Sequence, residues 1–182
     1  MVDVATGDRE SLERIAAAVN KEGEGPRTLT LSTGVVLLIK RVPVMLPTDI
    51  AAEALRVQPK VPRVFVEALD RVEENPDDPD YKSALQQWQA GMLLDMNNAF
   101  ILLGTEPTTI PEGVPAADAA EFLEQMKILR RDVEGPRARY LAWVKYCAAP
   151  DQNDIASIVR EVGRLSGVSE ADVSEAVQGF QR

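Results

Sequence analysis

Histidine and cysteine, two residue types that often carry out catalysis or bind metal ions, are nearly absent from this sequence. The chain has 182 residues, with no histidine and a single cysteine, Cys147. Without histidine, the Ser-His and Cys-His nucleophile systems and the usual zinc ligand sets are excluded. Cys147 stands at helical spacing from Leu141 and Val144, on a predicted apolar helix face. A small buried hydrophobic residue is therefore a better interpretation of Cys147 than a reactive thiol.

The acidic segment 77–80 has the composition of a calcium site but not its spacing. EF-hand loops need a glycine at position six and a glutamate at position twelve. Counted from the first residue of the segment, those positions hold Lys82 and Trp88. Helix capping explains the segment better, with Asp78 as the N-cap and Pro79 as the first helical residue. The sequence therefore predicts no metal site.

No other pattern predicts an active site. Neither the Walker A pattern nor the dinucleotide-binding glycine pattern occurs, and Thr33-Gly34 is typical of a hairpin turn. Nothing singles out a pair of carboxylates for general acid–base catalysis among the 29 acidic residues. We expect no enzymatic activity and no cofactor. An enzyme that acts on a small molecule is the last of three functional interpretations.

One region differs in charge from the rest of this acidic chain. The formal net charge is −9, yet residues 127–146 carry six cationic side chains against two carboxylates, with three aromatic residues among them. Basic residues interleaved with aromatic ones can bind nucleic acid or an acidic protein. The alternative is an ordinary solvated face whose aromatic side chains belong to the core. If the face is functional, the net negative charge favours a protein partner over nucleic acid. The residues predicted to contact that partner are Arg137, Arg139, Trp143 and Tyr146.

The composition predicts where the protein resides. A single cysteine cannot form an intrachain disulfide, which favours a reducing compartment. The sequence has no run of about 18 apolar residues and no basic-then-apolar N-terminal signal. We expect a soluble intracellular protein that binds neither membrane nor nucleic acid.

Hydrophobic periodicity predicts a mainly α-helical fold. The longest helix is predicted over residues 79–103, with Gly104 as its C-cap and with apolar residues on nearly all sides of its last turns. Residues 29–39 predict a β-hairpin, and residues 64–66 predict a third strand beside it. The acidic stretch 67–80 is interpreted as a solvated linker, and the proline-containing stretch 105–115 as an irregular surface segment.

Shorter helices are predicted on both sides of these elements. A helix near residues 50–55 has Thr48 as its candidate cap, and Asp151 with Asp154 resembles a capping box. The other predicted helices cover 8–20, 116–131, 136–150, 151–165 and 169–180.

The combined expectation is a helical bundle around one long central helix, with a small N-terminal β-hairpin or three-stranded sheet. Residues 1–26 would hold an N-terminal helix and a flexible break. Residues 27–68 would form the small sheet subdomain, and residues 69–182 a helical domain built on the 79–103 helix.

Three passages resemble small proteins encoded among the tail genes of long-tailed bacteriophages, including those called tail assembly chaperones. They are EENPDDPDY at 73–81, LLGTE with PEGVP at 102–115, and ARYLAWVKY at 138–146, and the likeness covers roughly residues 33–180. The resemblance implies a non-enzymatic protein that coats the helical tape-measure protein until tail-tube subunits polymerise around it. It also implies a location in the host cytoplasm and absence from the mature virion.

A second interpretation is a structural virion component of the head–tail or tail-tube region. The predicted hairpin would then add a strand to a neighbouring subunit. Both interpretations predict a protein partner, either the tape-measure protein or tail subunits, and both are compatible with a homo-oligomer.

Overall fold

The computed structural model describes residues 27–131 and 133–167, and the helices predicted at 8–20 and 169–180 lie outside them. Over the described residues the chain is mainly helical, with a small antiparallel sheet. The α-helices are α1 (Leu46–Arg56), α2 (Pro79–Gly104), α3 (Ala120–Ile128), α4 (Pro136–Trp143) and α5 (Gln152–Ser166). The strands are β1 (Arg27–Thr30), β2 (Val36–Ile39), β3 (Arg63–Val66), β4 (Arg71–Glu74) and β5 (Thr105–Thr109). A 3-10 helix at Glu67–Leu69 and a π-helical turn at Val144–Ala148 complete these elements.

The predicted hairpin is confirmed by the pairing of β1 with β2. The strands are antiparallel, with Leu29 opposite Leu37. Gly34 in the turn has a φ of 83°, a conformation that glycine adopts without steric cost. Leu37 and Ile39 on β2 are buried, so this strand forms one wall of the core.

The third strand of the sheet is not the one that the sequence predicts. Strand β5 directly follows α2 and pairs antiparallel with β2, which gives the order β1-β2-β5. It lies in the segment predicted to be irregular because of its prolines. Pro107 is compatible with this position because β5 is an edge strand, where proline is tolerated.

Residues 64–66 do form a strand, but they pair with β4 in a separate two-stranded sheet. The segment predicted to be a solvated linker thus contains β4. A turn through the 3-10 helix connects the strands, with Asp70 in the left-handed region at a φ of 46°. Because β3 and β4 are close in sequence, their pairing closes only a short loop. This costs less conformational entropy than pairing β3 with β2.

Helix α2 begins as predicted. The Asp78 carboxylate accepts a hydrogen bond from the Tyr81 backbone N–H at 2.9 Å, and Pro79 is the first helical residue. The predicted burial is only partly correct, since Leu93, Leu94 and Leu103 are 51%, 51% and 42% exposed. Within α2 the buried residues are Met92, Phe100, Ile101 and Gly104. A bundle built around the full length of a central helix is therefore not confirmed.

Gly104 has a different role from the predicted C-cap. It is the last helical residue, and Thr105 is the C-cap. A Cβ atom on Gly104 would lie 2.5 Å from Cγ1 of Val162 on α5. The glycine therefore allows α2 and α5 to approach closely.

A single hydrophobic core joins the sheet to the helices. Leu37 on β2, Phe100 on α2, Trp143 on α4 and Ile158 on α5 belong to one buried cluster. This cluster contains residues from both sides of the predicted boundary at residue 68. Residues 27–68 and 69–167 therefore share a core over the described part of the chain.

The predicted helix caps are only partly correct. The Asp151 carboxylate accepts from the Asn153 N–H at 2.8 Å and caps α5. Asp154 does not complete a capping box, because its carboxylate accepts from the backbone N–H and the hydroxyl of Ser32. These hydrogen bonds link the β1–β2 turn to α5. Thr48 lies inside α1, whose N-cap is Met45.

Two helices are shorter than their hydrophobic patterns predict. Helix α3 begins at Ala120 instead of 116 and ends at Ile128. The helix predicted over 136–150 becomes π-helical after Trp143.

Candidate protein-binding surfaces

The four residues predicted to contact a partner lie on α4 and the π-helical turn after it, but they do not form one surface. Arg137 is exposed, and Tyr146 is 43% exposed. Arg139 is half-buried, and its Nε donates to the Val133 carbonyl at 3.3 Å. Trp143 has no exposed surface.

Trp143 belongs to the core. Its Nε1 donates to the Pro115 carbonyl oxygen at 2.6 Å, and its ring stacks on Tyr140 with 6.0 Å between centroids. A side chain without exposed area cannot contact a partner in this fold, so Trp143 packs in the core below this surface. Sequence spacing alone does not distinguish this position from an exposed aromatic among arginines, because both lie at helical intervals.

The remaining basic residues near Tyr146 interact within the molecule. The Arg131 guanidinium lies 6.0 Å from the centroid of the Tyr146 ring, within the range of a cation–π interaction. Partial burial lowers the pKa of the Lys145 ammonium, and the negative charge of Asp95 opposes this effect. The partner-binding role of Arg137, Arg139 and Tyr146 stays a prediction.

A groove between α1 and α2 is a surface that the sequence pattern does not reveal. Its volume is about 390 Å³. Its lining is mostly apolar, with one carboxylate from each helix at the edge. The lining residues are Ile50, Glu53, Ala54, Val57, Trp88, Gly91, Met92 and Asp95.

Two residues of α2 determine the shape of this groove. Trp88 is half-buried, and its Nε1 donates to the Ala54 carbonyl at 2.9 Å, which links α2 to α1. Gly91 leaves the floor open, since a Cβ there would meet nothing within 4 Å. An isolated glycine inside an apolar helical stripe is the one sequence signal that could have indicated such an opening.

The two-stranded sheet β3–β4, which we call the ribbon, exposes apolar side chains on both faces. On its strands, Val64, Phe65 and Val72 are 47%, 53% and 58% exposed, and Leu69 in the connecting 3-10 helix is 53% exposed. None of them belongs to the core cluster. A group of large exposed apolar residues often marks an interaction site.

The groups considered for chemistry in the sequence were the thiol of Cys147 and possible metal-binding carboxylates. Cys147 is half-buried; its burial and the nearby charge of Glu121 both raise the pKa of the thiol. No group of three or more potential metal ligands occurs in residues 27–131 and 133–167. In the same part of the chain, no helix is both long and apolar enough to cross a membrane.

The raised pKa of Cys147 predicts that its thiol reacts slowly near neutral pH. The thiolate is the reactive form, so at pH 7.5 the native protein should react with Ellman's reagent more slowly than the chain unfolded in guanidinium. The native rate should rise as the pH is raised above the ordinary thiol pKa. Absorbance of the released thiolate measures the rate, and Cys147 is the only cysteine that contributes. Equal rates for native and unfolded protein at pH 7.5 would contradict the assignment.

Comparison with known proteins gives no relative from which a function could be transferred. Neither a protein-family model, nor a curated protein, nor a solved structure shows a significant match to this chain. The surfaces described above, together with the sequence resemblance, are the basis for a functional proposal.

Proposed function

We propose that this protein is a non-enzymatic tail assembly chaperone of a long-tailed bacteriophage. It would act in the host cytoplasm, hold the helical tape-measure protein until the tail tube polymerises, and be absent from the mature virion. The observation that carries the proposal is the open apolar groove between α1 and α2. The resemblance of residues 73–81, 102–115 and 138–146 to tail-gene proteins supplies the biological setting.

The lining of the groove suits an amphipathic helix. Such a helix places apolar side chains at positions i, i+3 or i+4, and i+7 into a hydrophobic groove of its partner. The groove offers an apolar floor, and Gly91 leaves space for a side chain of the partner. The half-buried indole of Trp88 is the kind of residue that dominates binding energy at interfaces.

The edge of the groove indicates which partner helices would bind best. Glu53 on α1 and Asp95 on α2 place negative charge on both sides. Charged groups at the edge of an interface act mainly on association rate and specificity. A tape-measure segment whose apolar stripe is flanked by lysine or arginine is therefore the favoured occupant.

The proposal is tested by filling the groove. Because a Cβ at position 91 would meet no atom within 4 Å outside the adjacent helix backbone, the Gly91→Phe side chain should enter the groove and leave the fold intact. We expect the captured amount of tape-measure protein to fall about tenfold, an effect of the size of one lost interface anchor. The measurement is a tagged pull-down from cells that express the surrounding gene cluster, with mass spectrometry of the captured proteins.

Gly91→Ala is the matched control for this experiment. It changes the same position but adds only a methyl group, so capture should stay near the wild-type level. Thermal melts of both variants verify that the fold is retained. Undiminished capture by Gly91→Phe would remove the groove from the proposal.

A structural virion component is the second candidate, and the sheet edges favour it. Strands β1 and β5 are the edge strands of the three-stranded sheet, and open edges can accept a strand from a neighbouring subunit. Purified particles distinguish the two candidates. A virion component is present there at a fixed stoichiometry and co-purifies with tube or connector subunits, whereas a chaperone is missing.

A further inference from the structure

The ribbon exposes apolar side chains at directly opposed positions of its two strands. Phe65 on β3 and Val72 on β4 lie opposite each other and are 53% and 58% exposed. A two-stranded sheet without other packing is only marginally stable in water. Each of its strands also has an edge with unpaired backbone groups, which can pair with another chain.

One hydrogen bond outside the ribbon identifies the backbone groups on the free edge of β4. The Asn75 N–H donates to the Pro62 carbonyl at 2.8 Å, which extends the register in which Glu74 faces Arg63. In antiparallel pairs, hydrogen-bonded and non-hydrogen-bonded positions alternate along the strand. The N–H and C=O groups of Val72 therefore point away from β3.

This free edge is complementary to itself in one register. Two β4 strands that pair antiparallel about Val72 place Val72 opposite its own copy. Arg71 and Glu73 already form an exposed ion pair within each chain. In this register Arg71 of each chain also faces Glu73 of the other, so both charge contacts between the chains are favourable. A pairing centred on Glu73 would instead place Glu73 opposite Glu73 of the other chain, and these like charges would repel each other. A pairing centred between two residues is excluded, because a residue whose backbone groups point outward would then face one whose backbone groups point toward β3.

We propose that the chain forms a twofold-symmetric homodimer through this edge, which joins two ribbons into a four-stranded sheet. The strand order is β3-β4-β4-β3. Phe65 and Val72 of both copies then form a continuous apolar row on one face. The charge pattern favours a second copy over an unrelated protein, since a twofold interface uses the same residues twice. The proposal is independent of the groove and of the proposed function.

Paired cysteine variants test the geometry. In a full-length Cys147→Ala background, Val72→Cys places thiols at Cα atoms about 5.5 Å apart, within the range of a disulfide. Phe65→Cys is the matched control, because the two copies of that position lie three strand spacings apart, roughly 14 Å. We expect mild oxidation to give a disulfide dimer for Val72→Cys and none for Phe65→Cys. Cross-linking of Phe65→Cys alone would assign the interface to β3, and cross-linking of neither would show that the ribbons do not meet; both overturn the proposal.

Charge reversal tests the register. We expect Arg71→Glu and Glu73→Arg each to weaken self-association about tenfold, because each replaces two exposed ion pairs by like-charge contacts. The double variant should restore association, since opposite charges again face each other across the twofold axis. Sedimentation equilibrium of the full chain measures the dimerisation constant. A wild-type monomer at several hundred micromolar, or single variants that dimerise as wild type does, would overturn the proposal. Retained tape-measure capture by these variants would separate this interface from the groove.

Discussion

Replacing Trp143 with alanine should lower the free energy of unfolding by about 3–5 kcal/mol. The indole ring has no exposed surface and lies in the cluster that contains Leu37, Phe100 and Ile158. Its removal leaves a cavity next to a strand and two helices, which these rigid elements can fill only partly. It also removes the hydrogen bond that the Pro115 carbonyl accepts from Nε1 at 2.6 Å.

Urea denaturation followed by circular dichroism measures this loss, and Trp88→Ala is the matched control. Trp88 is the other tryptophan of the chain, but it is half-buried and lines the groove. We expect its replacement to cost less than that of Trp143, about 1–2 kcal/mol, from partial burial and one lost hydrogen bond. If the two variants lost equal stability, the assignment of Trp143 to the centre of the core would be wrong.

Gly104→Ala should destabilise the protein by about 1–3 kcal/mol, although alanine is the better helix former. The new methyl group would lie 2.5 Å and 2.7 Å from the two γ-carbons of Val162. Both residues are buried, so α2 and α5 would have to separate. Guanidinium denaturation measures the change in free energy.

Gly91→Ala on the same helix is the matched control, and here the opposite sign is expected. The added methyl group meets nothing within 4 Å, so the variant should gain about 0.5–1 kcal/mol from helix propensity. Combining Gly104→Ala with Val162→Ala should cost less than the sum of the two single changes, because the second change removes the clashing atoms. Additive losses would show that the contact with Val162 is not the cause.

Local features of the fold were predictable because they depend on neighbouring residues. The start of α2 requires Asp78 as cap and Pro79 after it, an arrangement complete within four residues. The hairpin turn at Gly34 is similarly short-range, since β1 and β2 are separated by only a few residues. Asp151 caps α5 for the same reason.

The candidate surfaces were less predictable because they combine distant segments. The groove brings together residues 50–57 and 88–95, and no local pattern indicates that these two segments line a common groove. The cluster of arginines and aromatic residues was visible, yet its spacing is the same whether an aromatic side chain points inward or outward. Because Trp143 is buried, it cannot contact a partner in this fold. The contact roles of Arg137, Arg139 and Tyr146 stay predictions.

The sequence by itself determined the mainly helical class, the β1–β2 hairpin and the ends of several elements, through capping, periodicity and turn residues that act over a few positions. Only the tertiary structure decided that β5 completes the sheet, that β3 pairs with β4, and that Leu93 and Leu94 stay half-exposed. These outcomes depend on which distant surfaces meet. The free energy of strand pairing and apolar burial is a property of both partners, and only one partner is present in any local stretch of sequence.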